Sequence, residues 1–482
     1  MNDLIKAAVI IPAYLLVAPA VGWVLLSRSR TLERAALVLL VFMPSWFPGK
    51  LTLMLQSVEF YRGHTKGFEF SIIEVLAVAI IASSAARRGR DFAWLPPGAW
   101  LYLAWCGLSC LSFLPADNKL YVLMAAFKFT KAILVFIGAF HALQDEEDIR
   151  WLAHGLALGL VVQVMVALKM RFLDGRWQVH GWFEHQNPMA MWAYLCALPV
   201  LSLALSPQAS KRDTTFYLTG FAAAGLLILL SVSRAALVAF AIGAVMVVLL
   251  AAGRGFSFKL AGIATAGGVG ALVVSLVALD SFMTRMHEAS SREEEHDLRA
   301  ILNAQSKAML HDHALGVGWN NFGMANSLPV EKYAAILMDW DQSRGFRLIE
   351  ENYLANPLTE SLYWLLLAET GYAGFASFTI FLVLTLWWAA RSLTAFWRTS
   401  TGYLAAGLLV ALALTYVHCT VERVLTQTKN LSMWLILVGF LARLEFNRRR
   451  RFSLGTLQGQ RTNSNLIELP VATAPLPTPT TA

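Results

Sequence analysis

Apolar runs of about twenty residues recur along this chain from Ile5 to Leu444. At a rise of about 1.5 Å per residue, each run is long enough as a helix to cross the hydrocarbon core of a bilayer. Inside that core a backbone must satisfy its own hydrogen bonds, which a helix does and an open strand does not. The runs therefore predict an all-α polytopic membrane protein. Composition agrees where it bears on the point: 57% of the 482 residues are hydrophobic and 15% are charged, against roughly a quarter charged in an ordinary soluble domain. The pattern predicts twelve to thirteen transmembrane helices, approximately 5–26, 34–51, 69–86, 95–114, 120–140, 150–169, 188–206, 215–232, 234–252, 259–279, 358–389, 403–418 and 430–444. Only the Ser-Val-Ser-Arg stretch ending at Arg234 separates the eighth from the ninth. The eleventh exceeds one crossing and holds Gly371 and Gly374, which predicts a bent or broken helix.

Basic residues between spans set the orientation. Arg28, Arg30 and Arg34, then Arg87, Arg88 and Arg90, Lys211 and Arg212, Arg254 and Lys259, Arg391 and Arg398, and Arg448 to Arg451 all fall on one side, which is therefore the expected cytoplasmic side. The net charge of +8 is accounted for by this topology, and no nucleic-acid partner is expected. The C-terminus is then inside and the N-terminus outside. Ala18-Pro19-Ala20 has a faint likeness to a signal-peptide cleavage site, but the apolar core before it is too long, so the segment is read as a helix. Residues 1–445 are expected to form one membrane domain, and 446–482, with a Thr-, Pro-, Asn- and Ser-rich end, a disordered cytoplasmic tail.

One connection on the opposite side, 281–357, is too long and too polar to be a simple link. In it, Ser291 and Glu294 form a capping-box pattern, and Leu298, Ile301, Leu302, Met309 and Leu310 recur at helical spacing. These predict an amphipathic helix on the outer membrane surface, with a second short one over Glu331 to Met338. The four cysteines, Cys106, Cys110, Cys196 and Cys419, lack the paired spacing of a metal site or a disulfide framework and read as buried small side chains.

Polar side chains next to hydrocarbon are costly, so their positions point to function. Most fall on the outer side: Lys169, Arg171, Arg176, His180, Glu184, His185 and Asn187 before the seventh span, Arg234 before the ninth, Arg299 in the long loop, Glu360 and Glu369 in the eleventh span, and His418, Glu422 and Arg423 after the twelfth. Lys128 and Lys131 stand within the fifth. Any one arginine near a helix end also serves by snorkelling to lipid headgroups. The set suits an anionic substrate that enters from the bilayer, such as a polyprenyl diphosphate, whose phosphates need Arg or Lys at the interface.

Four stretches resemble signatures of the bacterial O-antigen ligase and O-antigen polymerase superfamily. His180-Gly-Trp-Phe-Glu-His-Gln-Asn-Pro-Met-Ala190 is similar to its Gly-x-Phe-x-x-x-Asn-x-x-Ala motif, and Leu230-Ser-Val-Ser-Arg-Ala-Ala-Leu237 to its Ser-Arg-Gly/Ala motif. Arg299 followed by Met309-Leu-His-Asp-His-Ala-Leu-Gly-Val-Gly-Trp-Asn-Asn-Phe322 resembles an Arg ahead of a Pro-Leu-x-Gly-Val-Gly-x-x-x-Phe turn. Glu360-Ser-Leu-Tyr-Trp-Leu-Leu-Leu-Ala-Glu-Thr-Gly371 resembles His-Asn-x-Tyr-Leu…Glu-x-Gly. The likeness covers roughly residues 120 to 445. It departs from the ligase branch where Glu360 replaces His and Ser361 replaces Asn; His311 and His313 nearby either take over that imidazole's part or cap the loop turn.

The resemblance implies a GT-C-like membrane architecture in the bacterial inner membrane, with an active site facing the periplasm. It also implies transfer of a glycan from undecaprenyl pyrophosphate to an acceptor glycan or lipid hydroxyl, without metal or cofactor. The long outer loop holds an Asp-x-Asp triplet, Asp339-Trp340-Asp341, but a diphosphate leaving group needs positive charge more than a Lewis acid. Carried over by motif, Arg234 and Arg299 neutralise the diphosphate, and Glu360 either accepts a proton from, or orients, the attacking hydroxyl or pairs with an arginine and only holds the site together. Arg176, His185, Asn187, His313 and Tyr363 are the expected substrate-binding residues; His185 and Asn187 either hydrogen-bond sugar or phosphate or cap the start of the seventh helix. The Glu360 departure favours a polymerase over a ligase. A chain-length regulator is a conceivable partner. A transporter or flippase for an anionic lipid-linked substrate is the reading from another class, on the strength of Lys128, Lys131 and the Gly-interrupted eleventh span.

Overall fold

The computed structural model describes residues 3–46, 52–58, 61, 63–255, 258–263, 265, 293–326, 333, 336 and 358–464, without the side chains of 293–298 and 452–464. The described elements run α1 (Asp3–Arg28), α2 (Arg30–Trp46), β1 (Thr52–Leu55), β2 (Phe68–Ser71), α3 (Ile72–Arg88), α4 (Ala99–Ser109), α5 (Lys119–Ala142), α6 (Glu146–Leu173) and α7 (Gln186–Ala204). They continue as α8 (Lys211–Ser231), α9 (Arg234–Ala252), α10 (Glu293–Asp312), α11 (Phe322–Ala325), α12 (Leu362–Ala395), α13 (Ser400–His418) and α14 (Thr428–Ser464).

Eight of these helices, α1, α5 to α9, α12 and α13, are long and apolar enough to cross a membrane. Their outward faces carry apolar stripes at helical spacing, among them Val238, Ile242, Val245 and Leu249 on α9 and Ile380, Val383 and Trp387 on α12, a surface suited to lipid and not to water. Helices α2 and α3, of 17 residues each, pack on α6 and on α1 and α5. All but the first few residues of the tenth expected span and most of 281–357 lie outside the described residues, as does the second loop helix apart from Tyr333 and Ile336. The backbone of α14 stays helical to Ser464, so the first part of the expected tail continues the helix; Glu445 pairs with Arg448 and Arg449 one turn on, a spacing that supports it.

The centre of the bundle is α7, in which every residue from Pro188 to Ala204 is buried. It packs against α6, α8, α9 and α13. Small residues permit this closeness: a Cβ on Gly407 of α13 meets the Pro199 backbone at 2.4 Å, and one on Gly220 of α8 meets Ala157 of α6 at 2.7 Å. The turns carrying the predicted inner charges meet at one end. There Arg30 and Arg34 pair with Asp148 at 2.9 and 3.1 Å, Arg87 with Glu33 at 3.1 Å and Arg150 with Asp213 at 3.0 Å.

At the opposite end β1 and β2 form a short antiparallel hairpin, Thr52 opposite Ser71, which the hydropathy pattern did not announce. The 313–326 turn is inserted into the bundle beside it. Trp319 stacks on Phe129 of α5 with ring centroids 4.9 Å apart, and its amide donates to the Ser112 hydroxyl at 2.9 Å. The Asn320 side chain accepts from the His64 amide at 2.6 Å and donates to the Thr65 carbonyl at 3.1 Å. Helix α12 does bend at Gly371 (φ 64°, ψ −166°). The bend lets the turn dock: the amides of Val317 and Gly318 donate to the carbonyls of Ala368 and Glu369, and that of Tyr372 to Ala314. A Cβ on Gly371 falls 2.1 Å from the Ala314 oxygen.

Candidate functional site

Helix α10 forms where the capping-box and periodic residues predict, but its buried face, Leu302, Ser306 and Met309, is turned into the protein, packing on α12. A second stripe, Arg299, Asn303 and Lys307 at successive i+4 positions, faces the chain that enters α12. The Arg299 guanidinium lies 2.5 Å from the Glu360 carboxylate. The Thr359 hydroxyl donates to Asn303 at 2.8 Å, and Lys307 stands 5.2 Å over the Trp364 ring. Ser361 caps the start of α12 with its hydroxyl.

Other segments close on this pair. The Leu362 amide donates to the Cys419 carbonyl at 3.0 Å, which brings the end of α13 beside Glu360. Glu422, just beyond that end, accepts from the Asn187 amide nitrogen at 2.5 Å. Burial, reinforced by the Glu360 charge, pushes the Glu422 carboxyl up to about 7, while Arg299, Asn187 and Arg423 pull it the other way. His185 caps α7, its Nδ1 accepting from the Asn187 amide at 3.4 Å. Burial holds His185 below its ordinary value, with the Glu360 carboxylate opposing. Arg176 donates to His180 Nε2 at 2.9 Å, and His180 Nδ1 donates to the Phe183 carbonyl at 2.6 Å. Arg299, Glu360, His185 and Asn187, with Arg176 reaching in through His180, thus gather at one end of the bundle.

The remaining predicted residues stand apart. Arg234 opens α9, exposed and without an ion pair among the described residues; it lies at the same end, since α8 runs there from Lys211. The Tyr363 hydroxyl donates to the Tyr416 carbonyl at 2.7 Å and ties α12 to α13. His313 contributes its backbone to the turn, donating to Met309 and accepting from Gly316. His311 pairs with Asp312 at 3.2 Å. Glu369 is buried: it accepts from the amides of Asn320 at 3.0 Å and Phe322 at 3.1 Å and from His64 Nε2 at 2.5 Å, so it holds the turn in place.

Next to the cluster lies a cavity of about 520 Å3, between the hairpin, α5, the 182–187 segment and the start of α14. His64, Glu69, Lys128, Glu184, Arg423 and Lys429 are among its lining residues. Lys128 is 3.2 Å from Glu69, and Lys131 pairs with Glu74. Sequence reasoning named the two lysines without these partners. The signal was there: Glu69 and Glu74 opened the third apolar run, and buried charges require mates. Among the described residues no three His, Cys, Asp or Glu side chains gather at metal-binding spacing.

Fold and site together define a mostly helical, multi-pass membrane protein with an ionisable cluster at one end of its bundle. No protein-family model matches the chain, and no curated protein matches it.

Proposed function

We propose that the protein is a glycosyltransferase that moves a glycan from a polyprenyl-diphosphate carrier to a hydroxyl of an acceptor glycan, as an O-antigen or exopolysaccharide polymerase does. The observation that carries the reading is the meeting of Arg299, Glu360, Glu422, Asn187 and His185 from four separate segments. A cation beside two carboxylates, one of them poised near neutrality, suits displacement of an anionic leaving group by a hydroxyl. Glu422 accepts the hydroxyl proton, because a carboxyl at about 7 is close to the ambient pH at which a general base works best. The acceptor oxygen attacks the anomeric carbon as the bond to the diphosphate breaks. Arg299, with Arg176, offsets the charge of the departing diphosphate, and Glu360 fixes the Arg299 guanidinium.

In this reading α2, α3, α4 and α14 join the eight longer helices as crossings of a GT-C-like arrangement. The protein sits in the bacterial inner membrane with the cluster facing the periplasm. The test is reconstitution of the purified protein with a polyprenyl-diphosphate glycan and separation of the products. A ladder of lengths supports polymerisation, a single capped acceptor replaces it with ligation, and movement of the carrier between leaflets with no new glycosidic bond replaces it with transport.

A further inference from the structure

We infer that the end of the bundle opposite the candidate site binds the phosphate of an anionic phospholipid, through Arg88 at the end of α3 and Arg443 and Arg450 on α14. Arg443, Phe446 and Arg450 recur at i, i+3 and i+7, which puts them on one face of that helix. Their two guanidinium groups stand over the same Phe446 ring, 5.4 and 6.0 Å from its centroid, and Arg443 also lies 5.3 Å over Phe140 in the last turn of α5. Arg88 and Arg450 are both close enough to Arg443 to repel it, and Arg450 also repels Arg88.

Like charges gathered in this way call for an anion, and the neighbouring carboxylates are committed elsewhere. Asp148, which attracts Arg443, pairs with Arg30 and Arg34. Glu33, which attracts Arg88, pairs with Arg30 and Arg87, and Glu445 pairs with Arg448 and Arg449. Arg88, Arg443 and Arg450 themselves make no ion pair or hydrogen bond among the described residues. Arg443 is the sharper pointer, because it is 6% exposed. Its Nε and Nη1 are enclosed without a hydrogen-bond partner, and Nη2, equally unbonded, is the nitrogen that keeps accessible surface. A guanidinium held this way is costly until an acceptor reaches Nη2. A phosphate oxygen supplies both the acceptor and the charge, and Arg88 and Arg450 can take its other oxygens.

The surroundings select a lipid as the source of that phosphate. His141, next to Phe140, donates from Nε2 to the Ala93 carbonyl at 3.0 Å and stacks on Phe92 with ring centroids 4.3 Å apart. The chain so held continues into Trp94, Leu95 and Trp100, all exposed. Exposed indoles beside arginines mark the headgroup level of a bilayer, where basic pockets between helices take anionic headgroups. The acyl chains have the apolar Trp94 and Leu95 to lie on, and the bound lipid ties α14 to α3 and α5.

The test titrates the delipidated full-length protein in neutral detergent with phosphatidylglycerol and, separately, with phosphatidylcholine, counting bound lipid by native mass spectrometry. Phosphatidylglycerol should bind at least about tenfold more tightly, and Arg443→Gln and Arg88→Gln should each bring the two lipids within about threefold of each other. Lys211→Gln, which removes an exposed cation at the same end but outside the cluster, should leave the preference unchanged. Glycerophosphoglycerol, the same headgroup without acyl chains, should displace the lipid only at about a hundredfold higher concentration. Equal wild-type affinity for the two lipids overturns the proposal, as does a preference that survives both arginine substitutions or that Lys211→Gln removes equally well. Displacement by the chain-free headgroup at the lipid's own concentration makes the ligand a soluble phosphate and overturns the lipid assignment. The wild-type comparisons decide even if a variant fails to fold, and none of them depends on glycosyl transfer.

Discussion

Replacing Glu369 by Ala tests how the outer turn is held. Glu369 is 1% exposed and accepts from two backbone amides, Asn320 at 3.0 Å and Phe322 at 3.1 Å, besides His64. Its removal leaves two buried donors without an acceptor, each costing about 1–3 kcal/mol, so the turn should lose about 2–6 kcal/mol of local stability. At about 1.4 kcal/mol per factor of ten, even the lower figure accelerates opening about thirtyfold. Hydrogen–deuterium exchange on the protein in nanodiscs reads this directly in peptides covering 316–326, with α7 as an internal reference because it is buried along its length. Glu369→Gln keeps one acceptor oxygen and should fall between wild type and Ala. Exchange in 316–326 unchanged within threefold in the Ala variant refutes the assignment of Glu369 as the clamp.

Glu422 should make both rate and stability depend on pH. Its carboxyl, raised to about 7 in the folded protein against an ordinary 4.5, binds more proton folded than unfolded between those values, so stability falls as pH rises through that window; the thermal midpoint should drop from pH 5 to pH 8 by more in wild type than in Glu422→Gln. Transfer should rise through about pH 7, and the Gln variant should be slow and lack that rise; an unaltered pH–rate profile counts against Glu422 as the base. Gly371→Ala should lower the thermal midpoint sharply, since φ of 64° and an oxygen 2.1 Å from the added Cβ impose about 1–3 kcal/mol of backbone strain before the clash is counted. Gly253→Ala, whose added Cβ meets nothing nearer than 3.6 Å, should be near neutral, and equal midpoints for the two sink the strain argument.

The helices were legible because an apolar run of that length has to be one, eight of them long and apolar enough to cross a membrane among the described residues, and the bend was legible because glycine inside the eleventh run had no other use. Arg299 and Glu360 were reached through the motif order, which put both beside the outer loop. The roles inside the motifs were less legible. Glu369, Gly371 and Tyr363 belong to the same signature as Glu360, yet the structure uses them to dock the turn and join α12 to α13; sequence position does not show which atoms a side chain meets. The Glu69–Lys128 and Glu74–Lys131 pairs were missed because each partner was read within its own span, whereas the pairing joins elements some sixty residues apart. The hairpin was hidden for a related reason: four-residue strands leave too short a pattern to stand out against long hydrophobic runs.

The most direct test of the account is a double-mutant cycle on Arg299→Ala and Glu360→Gln, reading glycosyl transfer and thermal unfolding together. The two side chains are 36% and 40% exposed, so solvent screening limits their pairing to about 0.2–1 kcal/mol of stability. Transfer should nevertheless fall about a hundred- to a thousandfold with Arg299→Ala, the size expected when a preorganised group facing developing charge is removed, and the double variant should lose much less than the product of the two single losses. Transfer that declines only in step with the amount of folded protein, or that persists near the wild-type rate, contradicts a reaction centre at Arg299 and Glu360.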